Sequence, residues 1–477
     1  MTGSDDELAY LSIDEAGARL RRGEITSLAL TEAHLARIGR LDAALGGYAR
    51  VTAEAALRQA RAADAELAAG RDRGPLQGVP LAVKDLFWTA GVVTAAGTRV
   101  HGDFRPAVDA TVVQRLKAAG AVLLGKLQMT EGAYSDHHPS IRPPRNPWDP
   151  QAWPGISSSG PGVALAAGLC CGALASDTGG SIRWPCAANN LTGLKPTWGR
   201  VSRHGAFELA ASLDHVGPMA RDVGSVAAVL QAIAGRDDLD PSSLAEPAGD
   251  YLAALGEGAG GLRIGVDRRW NTVDVDLEVA AALAQAEAVF RTLGAEVVEV
   301  AAPDVAEAVA DWPANCAVEA AVAHEATYPA RAEAYGPVLA SVIEAGRTLS
   351  GVDYQKILLR RMALRGRFDA LFADVDLLLT PAHPFAPLTL ERIRTLGELP
   401  ALIARLQTYT CPFDMTGHPT LSLPAGAGAA GLPIGLQLVA GRLQEARLLA
   451  AGAAFQGASD WHRRRPDLAW AAGNLAA

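Results

Sequence analysis

Residues 157–183 read SSSGPGVALAAGLCCGALASDTGGSIR, and their pattern decides the architecture. A glycine-punctuated helix fits residues 162–171 and an apolar strand fits 172–176, with serines before the first and after the second. Ten helical residues advance about 15 Å. Five strand residues return about 16 Å, so a helix laid antiparallel to its strand brings Ser157 and Ser181 to one edge of a sheet.

Working outward, the same alternation recurs. The short apolar runs at 81–83 and 121–124 flank a helical stretch at 110–118, and strand-like runs return at 262–267, 376–379, 418–426 and 431–441. Strands alternating with helices imply an α/β fold with a largely parallel sheet. Ser12 with Glu15 forms a capping-box pattern, and the spacing of Leu30, Leu35, Ile38 and Leu41 is that of an amphipathic helix, so the first 72 residues are expected to be helical.

Composition bounds the function. The 477 residues are 49% hydrophobic and 5% aromatic, with a net charge of −9, which argues against a nucleic-acid partner. The most apolar stretch is shorter than the roughly 20 residues that cross a bilayer. The acidic start MTGSDDELAY lacks the pattern of a secretory signal, and the five cysteines form no CxxC pair, so a cytoplasmic protein without a membrane partner is expected.

Only five of the 43 basic residues are lysine, at 84, 117, 126, 195 and 356. Arginine stays protonated in proteins, whereas a buried lysine can become neutral and act as a base. Lys84 follows an apolar run and would sit at a strand end, where open α/β sheets place their ligands. The run Thr178-Gly179-Gly180-Ser181 can turn without Cβ clashes and present successive N–H groups to one point, which is how an oxyanion is held. Ser181 would then be a nucleophile. A neutral Lys84, hydrogen-bonded to Ser157 and through it to Ser181, would move the proton.

Other chemistries find less support. Asp177-Thr178-Gly179 spells the motif of aspartic proteases, but no second copy occurs. No S-x-x-K begins a lactamase-type site, neither serine region supplies G-x-S-x-G, and no phosphate-binding P-loop is present. His137 and His138 are adjacent and have no third ligand at suitable spacing, so neither a metal nor another cofactor is expected.

These motifs resemble the amidase signature family, serine hydrolases of amides. GVPLAVKDLF (78–87), PGISSSGPGVALAAG (154–168) and SDTGGSIRWPCAANNLTGLKPTWGRVSRHG (176–205) follow its lysine, glycine-serine and central motifs. The resemblance spans nearly the whole chain. It implies one domain over 1–477, with a large mixed, mostly parallel sheet covered by helices on both faces. Residues 75–235 would form the core carrying the site, and 305–372 a helical insertion over the substrate pocket.

The resemblance further implies a Ser-cisSer-Lys triad: Ser181 as acyl-enzyme nucleophile, Ser157 after a cis peptide, and Lys84 as base. Oxyanion donors would be the N–H groups of Thr178, Gly179, Gly180 and Ser181, with Ser158, Asp177 and Arg183 in support. His137, Trp153 and Trp198 are candidate pocket residues. The expected substrate is a small-molecule amide or carbamate, and the expected state a monomer or homodimer. A glutaminase component of a tRNA-dependent amidotransferase, or a non-catalytic binding protein on the same fold, are the alternatives.

Overall fold

The structure, a computed structural model, describes residues 3–472. Eleven strands form one sheet: β1 (Tyr48–Val51), β2 (Pro80–Lys84), β3 (Val122–Leu127), β4 (Gly172–Asp177), β5 (Thr192–Lys195), β6 (His215–Ala220), β7 (Arg263–Val266), β8 (Glu296–Glu299), β9 (Leu377–Pro381), β10 (Thr420–Ala427) and β11 (Pro433–Ala440). Their order is β1-β3-β2-β4-β6-β5-β10-β11-β9-β7-β8.

The sheet is mixed, as expected, but not mostly parallel. Four of the ten neighbouring pairs are parallel, in the two trios β3-β2-β4 and β9-β7-β8. The other six are antiparallel. Two features break the βα rule. β6 enters antiparallel between β4 and β5, and β10–β11 is a hairpin whose short glycine-rich connection permits only antiparallel pairing.

Every residue of β2, β3, β4, β5, β6, β9 and β11 is buried, so both faces of the sheet are covered. Side chains alternate between two cores, as the pleat requires. Leu81, Val83, Leu123 and Leu174 join one cluster, and Ala82, Val122, Leu124, Ala173 and Ala175 the other. On that second side the strand positions on β2 and β4 are alanines, and the helix Ser159–Ala166 lies close over them. A Cβ on its Gly160 would meet the Gln128 carbonyl oxygen at 2.3 Å. Small residues on both partners therefore bring the helix start down onto the ends of β2 and β3.

The capping box of Ser12 and Glu15 forms as read, opening the helix Ile13–Arg21. The N-terminal segment also contributes β1, an edge strand paired with β3, so it is not wholly helical. Helices Ala306–Ala323, Pro337–Thr348 and Gly351–Asp374 form a block beside the site, joined by the pair Leu390–Gly397 and Pro400–Gln407. Among the described residues, no helix is long and apolar enough to cross a membrane.

Candidate active site

Lys84 closes β2 and is fully buried. Its Nζ lies 2.6 Å from Ser157 Oγ, 3.0 Å from Ser158 Oγ and 2.9 Å from Ser176 Oγ. Its hydrogen-bond partners among the described residues are thus three hydroxyls. Burial pushes the ammonium down to about 7, although the charges of Asp177 and Asp214 nearby partly oppose this.

The serine run behaves unlike an ordinary helix start. Ser158 occupies the N-cap position of the helix Ser159–Ala166, yet its hydroxyl makes no capping bond. It donates to the Ser176 carbonyl at 3.1 Å and accepts from Lys84. Ser157 has φ +37°, and the Ser158 N–H donates to the Ile156 carbonyl at 2.8 Å. The cis peptide expected before Ser157 is not formed, since the Ile156–Ser157 bond is trans. A tight three-residue turn with a left-handed Ser157 delivers the hydroxyl instead.

The loop after β4 is organised by Asp177. Its carboxylate accepts from the N–H groups of Gly180 (2.6 Å), Ile182 (2.9 Å) and Arg183 (3.3 Å), and from the Arg183 guanidinium at 2.8 and 3.0 Å. Arg183 also donates to Asp414 (2.6 Å) and to the Thr410 carbonyl. All three charged side chains are buried. Burial alone would raise both carboxyls, but Arg183 and the N–H groups hold Asp177 well below the usual range. Burial, with the Asp177 charge beside it, pushes Asp414 up. Asp177 and Arg183 thus pair, and Asp414 is a third member that the sequence did not reveal.

One expected oxyanion donor is lost to this arrangement. The Gly180 N–H is committed to Asp177, so it does not face outward. The N–H groups of Gly179 and Ser181 find no acceptor among the described residues. Thr178 is held by its hydroxyl, which donates to Asp214 at 2.6 Å, and by its carbonyl, which accepts from Trp312 Nε1 at 2.8 Å. Both glycines are required by packing. A Cβ on Gly179 would stand 2.6 Å from the Trp312 ring, and one on Gly180 2.7 Å from the Trp184 ring, where φ is also +136°.

Ser181 follows this loop and borders a cavity of about 640 Å³. Its hydroxyl makes no hydrogen bond with the described residues, so the expected Ser157–Ser181 hydrogen bond is not formed, although Lys84–Ser157 is. Tyr134, Trp153, Ile156, Trp184, Trp312 and Leu406 supply much of the wall. Trp153 thus lines the same cavity as Ser181. His137 lies instead in an adjoining groove, with Nε2 3.4 Å from Ser159 Oγ. Trp198 is on a separate depression with Ser212, Arg361 and Gly417, because the turn after β5 packs on the Gly417 backbone and not on the loop of Ser181.

Sequence reasoning missed Ser176, Asp214, Trp312 and the helix pair at 390–407 that closes the cavity. Ser176 sits in a strand next to the quoted loop and could have been marked as a polar residue inside an apolar run. Among the described residues, no three His, Cys, Asp or Glu side chains cluster as a metal would require.

Comparison with known proteins agrees with the motifs. The model of the family described as Amidase matches residues 29–449. AmiD of Mycobacterium tuberculosis, assigned as an amidase, is 50% identical over 463 residues, covering 97% of both chains. The A-type component of the glutamyl-tRNA(Gln) amidotransferase of Moorella thermoacetica is 42% identical, covering 97% of this chain and 99% of its own. The structure of native peptide amidase from Stenotrophomonas maltophilia superposes with a TM-score of 0.81 at 30% identity, covering 96% of this chain and 98% of that one. With a family match over most of its length and such relatives along nearly all of it, the chain belongs to the amidase signature family and is an amide hydrolase.

Proposed function

We propose that this chain hydrolyses the amide or carbamate bond of an apolar small molecule through an acyl-Ser181 intermediate. The observation that carries this reading is the buried Lys84, ringed by three serine hydroxyls beside a loop whose Ser181 hydroxyl is left free. A neutral amine has two N–H bonds and one lone pair. Ser158 has its own proton on the Ser176 carbonyl and so accepts from Lys84. The lone pair is then available to the Ser157 proton.

In this mechanism Ser181 Oγ attacks the substrate carbonyl carbon while its proton passes to Ser157 and the Ser157 proton to Lys84. The N–H groups of Gly179 and Ser181 hold the oxyanion. The lysine then returns the proton by the same route to the leaving amine, and water repeats the sequence on the acyl-enzyme. The Ser157–Ser181 contact is one that bound substrate would complete. The aromatic wall supports an apolar acyl or aryl group.

The 42% identity to an amidotransferase component supports a second reading, release of ammonia from glutamine within a complex. The apolar cavity and the higher identity to AmiD support the amide hydrolase reading, and the proposal places the chain in the cytoplasm as a monomer or homodimer. Intact-mass spectrometry of wild type and Ser181→Ala after fluorophosphonate treatment, followed by a panel of aryl amides and carbamates, tests the proposal. One adduct on wild type alone, with turnover of the panel, is expected. An adduct that persists in Ser181→Ala would sink it.

A further inference from the structure

Between Thr178 and Ser181 lie three peptide units, and in a trans peptide the C=O and N–H point in opposite directions. Anchoring each carbonyl therefore aims the N–H behind it. The Gly179 carbonyl faces Cys411 Sγ at 3.5 Å, and the N–H of the same unit goes the other way to Asp177. The Gly180 carbonyl accepts from the Trp184 N–H at 2.8 Å, which turns the Ser181 N–H out. For the Thr178–Gly179 unit, the bond to its carbonyl is the one from Trp312 Nε1 at 2.8 Å.

That unit lies between Thr178 and Gly179, and the glycine's freedom of rotation makes an unanchored peptide plane prone to turn over. Trp312 comes from the helix Ala306–Ala323, outside the sheet that carries the loop. Its ring also forms part of the cavity wall and lies parallel to Tyr134, with centroids 6.2 Å apart. We infer that Trp312 is a positioning residue: its indole N–H fixes the Thr178–Gly179 peptide so that the Gly179 N–H faces the reacting oxygen. One side chain then ties the substrate wall to the oxyanion donors. The inference rests on Ser181 being the nucleophile.

The test uses the full chain with Trp312→Phe and, should that variant not fold, with benzothienylalanine placed at 312, which keeps the ring shape and replaces N–H by sulfur. The probes are a short-alkyl and a benzyl fluorophosphonate, followed by intact mass. In this step the Ser181 O–P bond forms, P–F breaks, fluoride leaves and the serine proton passes to the lysine. The maximal phosphonylation rate should fall about 10- to 100-fold for both probes, with the half-saturating concentration changed less than about twofold.

A wall role alone would weaken saturation by the benzyl probe and leave the maximal rate unchanged, and that result overturns the inference. Ser181→Ala separates the two levels. If it is still labelled, the nucleophile assignment fails. If it is inert while the Trp312 variants react at the wild-type rate, only the positioning role fails.

Discussion

Lys84 Nζ sits 2.6 Å from Ser157 Oγ, and among the described residues no carboxylate comes within ion-pairing distance of the amine, in contrast to Lys126 with its Asp85. Hydroxyls satisfy hydrogen bonds without stabilising positive charge as a carboxylate would. Burial therefore sets the balance and brings the amine to about 7.

The activity should follow that amine. Below about pH 7 the lysine is protonated and cannot take the Ser157 proton, so kcat/KM should fall tenfold per pH unit on the acid side and level off above. Lys84→Arg should lose about 10²- to 10⁴-fold, because arginine keeps the charge and supplies no neutral base. A rate profile of both proteins checks this. An acid-side optimum, or activity kept in Lys84→Arg, would rule the lysine out.

Gly180→Ala should be the more damaging of the two glycine substitutions. Its Cβ would stand 2.7 Å from Trp184 and also demand φ +136°, whereas at Gly179 the clash is 2.6 Å from the Trp312 ring alone. Gly180→Ala is expected to lower both the melting temperature and labelling of Ser181. Gly179→Ala should chiefly lower labelling. Equal, small effects would contradict this packing.

Asp177→Asn keeps the volume but removes the charge that binds Arg183 and three backbone N–H groups. Breaking a buried ion pair by removing one partner costs about 3–5 kcal/mol. Urea unfolding should show a loss of that size, and phosphonylation of Ser181 should slow, because an amide with one acceptor oxygen in place of two cannot hold the Gly180, Ile182 and Arg183 N–H groups together. Wild-type reactivity at lowered stability would separate Asp177 from the loop's geometry.

The parts of the site that are local in sequence were legible, and the parts that depend on crossing distances were not. Lys84 could be placed because it closes a short apolar run, and Ser157 because it precedes a helix whose returning strand leads to Ser181 on the same edge. Trp312 and Leu406 carry no signal of that kind. They reach the cavity from helices that look like any amphipathic segment: Trp312 is turned inward by the packing of the 306–323 helix on the Thr178 loop, and Leu406 enters from the separate helix Pro400–Gln407. Trp153 and Trp198 illustrate the same limit, since both are tryptophans beside a motif and only one faces the cavity. The sheet reads as mostly parallel when βα alternation is taken to hold throughout, and β6 and the β10–β11 hairpin depart from it.

The three buried lysines should also leave a mark on stability. Burial lowers Lys84 and Lys195 to about 7 and Lys126 to about 8, against roughly 10.4 in the unfolded chain. Between those values the unfolded state binds more protons than the folded one, so stability rises with pH, by roughly 1.4 kcal/mol per pH unit for each lysine that has become neutral. The opposite sign holds for the five buried thiols, which burial pushes up. Unfolded thiols ionise near about 8.5, so their contribution is lost as pH rises beyond that point. The melting temperature should therefore climb from pH 7 to a maximum between about 8 and 9 and then decline. Lys195→Met, which removes one of the three amines from a site where Nζ donates to the His418 carbonyl at 2.6 Å, should flatten the climb. A melting temperature that is level or falling between pH 7 and 8.5 would mean that these lysines stay charged in the folded protein, and with them the proposed base.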